Sequence, residues 1–187
     1  GEFRFMSVEK VNNLFPLSTI DVYAQRINSQ IFEPLLKIDM ESMNVVPAIA
    51  ESYKVSEDAK TFTFQIRKGV MFHEDECLDG GSREVTANDI KFTLEMACSG
   101  LPENQISYLL VNRIVGAADF NAKTKKTLVK TGVSGIRVIN DYSLEIKLTE
   151  PFVGFDRILS HTNLSVFPRE AYEKYGKDIS KHPVGTG

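Results

Sequence analysis

The sequence predicts an α+β fold in which helices pack on a mixed or antiparallel sheet, and three observations carry that prediction. Two separate stretches alternate apolar and polar residues on both sides of a turn, which is the pattern of a half-buried hairpin. Several other stretches repeat apolar residues at helical spacing. Strands and helices interleave without the regular βαβ beat of a doubly wound sheet.

Taken in chain order, residues 3–10 read as a short strand leading to a polar loop at Asn12-Asn13, with Pro16 fixing the turn that follows. From Asp21 to about Phe32, Val22, Ala24, Ile27 and Ile31 recur at helical spacing until Pro34 stops the pattern, so Ile27 and Ile31 are expected on the buried face. The first hairpin runs from Glu51 to Val55, turns through Ser56 to Lys60 and returns from Thr61 to Arg67. Phe62, Phe64 and Ile66 there alternate with Thr63, Gln65 and Arg67, giving one packed and one wet face. A turn-rich, exposed segment spans His73 to Arg83. Thr86 then offers a hydroxyl N-cap, with Asp89 as its acidic N3 partner, for a helix from about Ala87 to Ala97, ended by Gly100 and Pro102. Residues 103–130 read as partly helical, with Lys123, Lys125, Lys126 and Lys130 on a solvated face. The second hairpin places Ile136 and Val138 before an Asn140-Asp141 turn and Leu144, Ile146 and Leu148 after it. Two more helices are expected, one from Pro151 carrying Phe152, Phe155, Ile158 and Leu159, and one over Arg169–Tyr175.

The chain has 187 residues, with 22 Lys+Arg against 25 Asp+Glu and a net charge of -3. So small and mixed a balance carries no nucleic-acid footprint. No apolar run approaches the roughly eighteen residues that a membrane helix needs, and no signal-peptide succession opens the chain. Gly1 and the closing Pro183-Val184-Gly185-Thr186-Gly187 read as ends cut from something longer. Cys77 and Cys98 are too far apart for a redox pair. They read either as unrelated thiols or as a disulfide joining the loop to the far end of the helix that follows, which an oxidising compartment permits.

A search for chemistry returns little. There is no nucleophile elbow, no His-Glu-x-x-His and no phosphate-binding loop. The acidic run Glu74-Asp75-Glu76 lacks the spaced ligands of a calcium loop and reads as solvated. His161 stands between an apolar helix and an apolar run, either facing a cleft or satisfied within its loop. No catalytic residue, metal ligand or cofactor is expected.

Several local segments stand in a recognisable order: Asn13-Leu14-Phe15-Pro16, Gln30 to Leu35, Val46 to Tyr53, Asp58 to Phe64, Ile66 to His73, Val85 to Phe92 and Pro183 to Gly187. Together they resemble the extracellular solute-binding proteins of oligopeptide, dipeptide and nickel ABC importers. Tyr53 stands where the family often has Trp, Pro34 where Gly is common, and the loop 74–83 is longer than usual. The resemblance implies part of a type II periplasmic-binding-protein-like lobe, with residues 1–32 starting lobe I, 33–168 forming the small subdomain peculiar to the family, and 169–187 returning to lobe I. It implies ligand capture without bond making. The guest is most simply a peptide, with nickel, haem or oligosaccharide ligands and a ligand-presenting sensor module as alternatives. It also implies an ABC permease partner, a monomer, and a periplasmic or otherwise extracytoplasmic setting, either free or lipid-anchored. Its site residues map onto Thr19, Ile20, Asp21 and Val22, whose main chain would lie along the ligand, and onto Gln105, Tyr108 and His161. Asp21 is either a partner for a ligand amine or a helix N-cap.

Overall fold

The computed structural model describes residues 11–187 apart from Lys130. The strand expected over residues 3–10 lies outside the described residues. After a 3-10 turn at Pro16–Ser18, helix α1 spans Val22–Ile31. Strands β1 (Leu36–Ile38) and β2 (Val45–Pro47) pair as a small antiparallel ribbon. Strands β3 (Ala50–Val55) and β4 (Thr61–Ile66) form the first hairpin, and β5 (Ile136–Asn140) and β6 (Ser143–Lys147) the second. Between the hairpins lie α2 (Ala87–Cys98) and α3 (Ala117–Lys123), and after them α4 (Phe155–Leu159) and α5 (Arg169–Tyr175).

The two hairpins merge into one antiparallel sheet of order β3-β4-β6-β5. The register sets Phe62 opposite Ile146 and Phe64 opposite Leu144, so residues of like polarity share a face across the junction. Phe62, Phe64, Ile66, Leu144 and Ile146 are all fully buried. Helix α2 packs on β5 and β6, while Phe155 of α4 meets Phe62 edge to face with ring centroids 5.2 Å apart. One core therefore runs through the sheet and the helices on it. The α2 start is the expected capping box, with the Asp89 carboxylate accepting the Thr86 N–H at 2.8 Å.

Three expectations need correcting. Helix α1 is seated on Ala24 and Asn28, while Ile27 and Ile31 are only half buried, because a polar network at Thr19 draws the Asn28 side inward. The segment 73–83 is not simply exposed. Backbone bridges Met71 to Glu84 and Asp75 to Gly81 fold it into a compact loop, with a 3-10 turn at Glu76–Leu78. That compactness also decides the cysteines, both of which are free. Cys77 is held in the loop against α5, where Asp75 accepts its N–H, while Cys98 is buried at the C-terminal end of α2 near α3. The loop meets α2 at the opposite end, through Arg83 and Asp89, and the twelve residues of α2 separate its ends by about 18 Å.

The chain's last described segment returns to its first helix. Gly187 N–H donates to Ile31 O at 2.9 Å, and His73 N–H donates to Gly185 O at 2.9 Å. A Cβ on Gly185 would run into the Ile31 carbonyl, so only glycine allows that approach. Arg83 fastens the same region by hydrogen-bonding Asp89 at 2.7 and 2.9 Å and Glu170 of α5 at 2.6 and 2.8 Å.

Burial alone would raise the Glu170 pKa, yet the hydrogen bond and charge of Arg83 outweigh it and hold the carboxyl below its ordinary value. A depressed carboxylate pKa contributes stability above the unfolded-state value, and the contribution is lost as pH falls through the folded-state value. Glu170→Gln should therefore cost about 1 kcal/mol or less at pH 7, the scale of a partly exposed pair, with the difference from wild type shrinking as pH falls below the ordinary glutamate range, as read from urea midpoints.

Candidate functional site

The segment that the sequence singles out, Thr19 to Val22, leaves a turn whose every support is buried. Phe15 and Leu17 are inserted into the core, and Phe15 meets Phe167 edge to face at 5.1 Å; Phe167 in turn meets Phe92 of α2 at 5.8 Å. Aromatic edges of this kind favour one fixed arrangement over a sliding one. Asn13 accepts the Phe15 N–H at 2.9 Å, closing the turn from its start.

Thr19 is 2% exposed and its hydroxyl is spent inside the protein. It donates to Phe15 O at 2.8 Å and accepts from Asn28 Nδ2 at 3.1 Å. The side chain is therefore structural, and only the main chain beyond it is presented outward. Asn28 Oδ1 is left as a buried acceptor with no partner among the described residues. From the other side, Asn163 donates through Nδ2 to Pro16 O at 2.7 Å and to Thr19 O at 2.6 Å, bridging 144 residues of sequence or more. A third tie is backbone to backbone, with Gln105 N–H donating to Leu17 O at 2.9 Å.

Beyond this lock the chain emerges. Ile20 is 77% and Val22 60% exposed, and the N–H groups of Ile20, Asp21 and Val22 donate to no described residue. Asp21 takes the N-cap role, accepting the Ala24 N–H at 2.8 Å. That bond supplies the helix-cap reading without drawing on a ligand.

Ile20 and Gln105 line one cavity of about 960 Å³, together with Lys126, Leu128, Tyr172 and Lys177. Tyr108 and His161 do not line it. Tyr108 stands 67% exposed on the 3-10 turn Ser107–Leu109, where its carbonyl accepts from Arg113 at 3.4 Å. His161 is exposed on the turn that carries Asn163, and its Nδ1 accepts the Asn163 N–H at 3.2 Å. The neutral ring consequently carries its proton on Nε2. Desolvation lowers its pKa below the ordinary histidine value, which favours that neutral form.

The structure thus brings Ile20 to Gln105 on one flank of the turn and joins Thr19 to the His161 turn through Asn163 on the other. Sequence reasoning passed over Asn13, Asn28 and Asn163. Asn13 closes its own turn, whereas nothing local reveals that Asn28 serves the Thr19 hydroxyl or that Asn163 serves carbonyls 144 and 147 residues away. Among the described residues no group of three or more His, Cys, Asp or Glu is arranged to hold a metal ion, and no helix is long and apolar enough to cross a membrane.

Solved binding-protein structures superpose on this chain along nearly its whole length. An oligopeptide ABC transporter substrate-binding domain from Bacillus anthracis covers 98% of the chain with a TM-score of 0.81 at 22% identity, the chain spanning 33% of it. The pheromone receptor PrgZ, solved for its mode of peptide binding, covers 95% with a TM-score of 0.78 at 28% identity, again over 33% of its own length. Residues 44–187 match the model of the bacterial extracellular solute-binding proteins, family 5 (Middle), and the chain belongs to that family. It is a family of binding proteins, not of enzymes. A glutathione-binding protein, GsiB, from Salmonella paratyphi A is 33% identical over 175 residues, which is 93% of this chain and 28% of that protein. The chain thus spans less than a third of the curated relative it matches.

Two outcomes follow from the lock. Thr19→Val keeps the shape but strands the buried Asn28 amide, and should lower unfolding free energy by about 1–3 kcal/mol in urea titration. Nitrogen NMR at neutral pH should find His161 as the Nε2–H tautomer, titrating below the ordinary value; an Nδ1–H tautomer would contradict the Asn163 contact.

Proposed function

We propose that this chain supplies one wall of the ligand cleft in the capture subunit of an ABC importer, and that the guest is a short peptide. The observation that carries the reading is the exposed Ile20–Val22 main chain, whose N–H groups donate to no described residue, with Ile20 at the rim of the cavity of about 960 Å³. Main-chain donors pair with a peptide backbone whatever its side chains, so affinity is obtained without side-chain selectivity. A roomy polar-edged cavity beside them tolerates variation in the guest. The names of the relatives support this class of guest, since glutathione is itself a tripeptide and the oligopeptide transporter domain and the pheromone receptor are named for peptides.

Capture is by closure of a second lobe over this wall, after which the complex delivers its guest to a membrane permease. Residues 1–32 and 169–187 belong to lobe I and 33–168 to the small subdomain. The protein works outside the cytoplasm as a monomer, free or lipid-anchored, and has no nucleic-acid partner. Gln105 serves the same cavity wall as Ile20, while Tyr108 and His161 contribute from neighbouring surfaces.

Native mass spectrometry of the complete gene product, purified without added ligand, tests the guest class. Release of short peptides or glutathione on denaturation is expected. A single sugar, haem or nickel chelate would overturn the peptide reading.

A further inference from the structure

Among the described residues the Thr19–Val22 segment has no sheet neighbour to set its height, so another contact must hold it where a guest would meet it. Asn163 is placed to do so. It is 3% exposed, and its carboxamide nitrogen spans the turn by donating to the carbonyls of both Pro16 and Thr19, at 2.7 and 2.6 Å. Its Oδ1 accepts from Gln25 of α1 at 3.4 Å, and its N–H donates to His161 Nδ1 at 3.2 Å. One residue thus references the exposed segment and the first helix to each other through its side chain, and the His161 ring through its backbone.

We propose that Asn163 is a positioning residue for ligand binding, one that sets the affinity of the Ile20–Val22 main chain without touching the guest. This rests on the reading that the Ile20–Val22 main chain meets the ligand. Hydrogen bonds to a guest backbone tighten or fail over a fraction of an ångström, and a turn released from one corner relaxes by more than that. The Thr19 carbonyl matters most, because the same planar peptide unit carries the Ile20 N–H.

The test is titration calorimetry on the complete gene product with trialanine and with glutathione, comparing wild type, Asn163→Ser, Asn163→Gln and Ile20→Pro. Asn163→Ser removes the reach to both carbonyls. Asn163→Gln keeps the carboxamide and displaces it by one methylene, and it serves should the serine variant not fold. Ile20→Pro removes the N–H that the reading assigns to the guest; Thr19, at φ -79° and ψ 113°, already has the extended backbone that a following proline demands. At least one of the two probes must bind wild type, since silence from both would overturn the short-peptide reading. Expected are a tenfold or greater loss of affinity in either folded Asn163 variant, displaced amide resonances of Ile20 to Val22, and a similar loss in Ile20→Pro. Wild-type affinity in a folded Asn163 variant, with Ile20→Pro impaired, would overturn the positioning role and leave the site reading standing. Wild-type affinity in Ile20→Pro would overturn the site reading itself.

Discussion

The site geometry depends on a buried carboxamide, that of Asn163, donating to two carbonyls of the turn that precedes Ile20. Without it, the Thr19 carbonyl would lose its donor and the Pro16 carbonyl would keep only the Thr19 N–H at 3.4 Å, at a cost comparable with a lost hydrogen bond. The Thr19 hydroxyl and the Asn28 amide meet the same turn from the helix side, and Gln105 N–H meets it at Leu17. Polar groups in the interior thereby specify one arrangement, where an apolar contact would permit several. The aromatic series Phe15, Phe167 and Phe92 joins that turn to α2 and through it to the sheet.

This division of labour explains why the side chains expected at the site are mostly occupied elsewhere. Thr19 faces inward and Asp21 gives one carboxylate oxygen to the cap of α1. The main-chain N–H groups that follow donate to no described residue. A surface of that kind is suited to holding a molecule, in keeping with a family of solute-binding proteins.

Much of the fold was legible because local period and local caps agreed. Phe62, Phe64 and Ile66 announced their strand, Thr86 and Asp89 announced α2, and Pro168 marked the start of α5. What the sequence withheld was relational. The joining of two hairpins through β4 and β6 places Phe64 opposite Leu144, eighty residues on, and no periodicity encodes such a pairing. The β1–β2 ribbon escaped notice because three-residue strands are too short to show alternation. Ile27 and Ile31 were expected to define the buried side of α1, but Asn28 does so, because its hydrogen bond to Thr19 outweighs the pattern. Of the site, the segment Thr19–Val22 and Gln105 came from family resemblance, whereas Asn163 became visible only once carbonyls 144 and 147 residues away were seen to lie against it.

The account is tested most directly by the crystal structure of the complete gene product with a short peptide bound. The peptide main chain should lie within hydrogen-bonding distance of the Ile20–Val22 backbone, with Asn163 still bridging Pro16 and Thr19. A guest seated elsewhere, with that backbone facing only solvent, would contradict it.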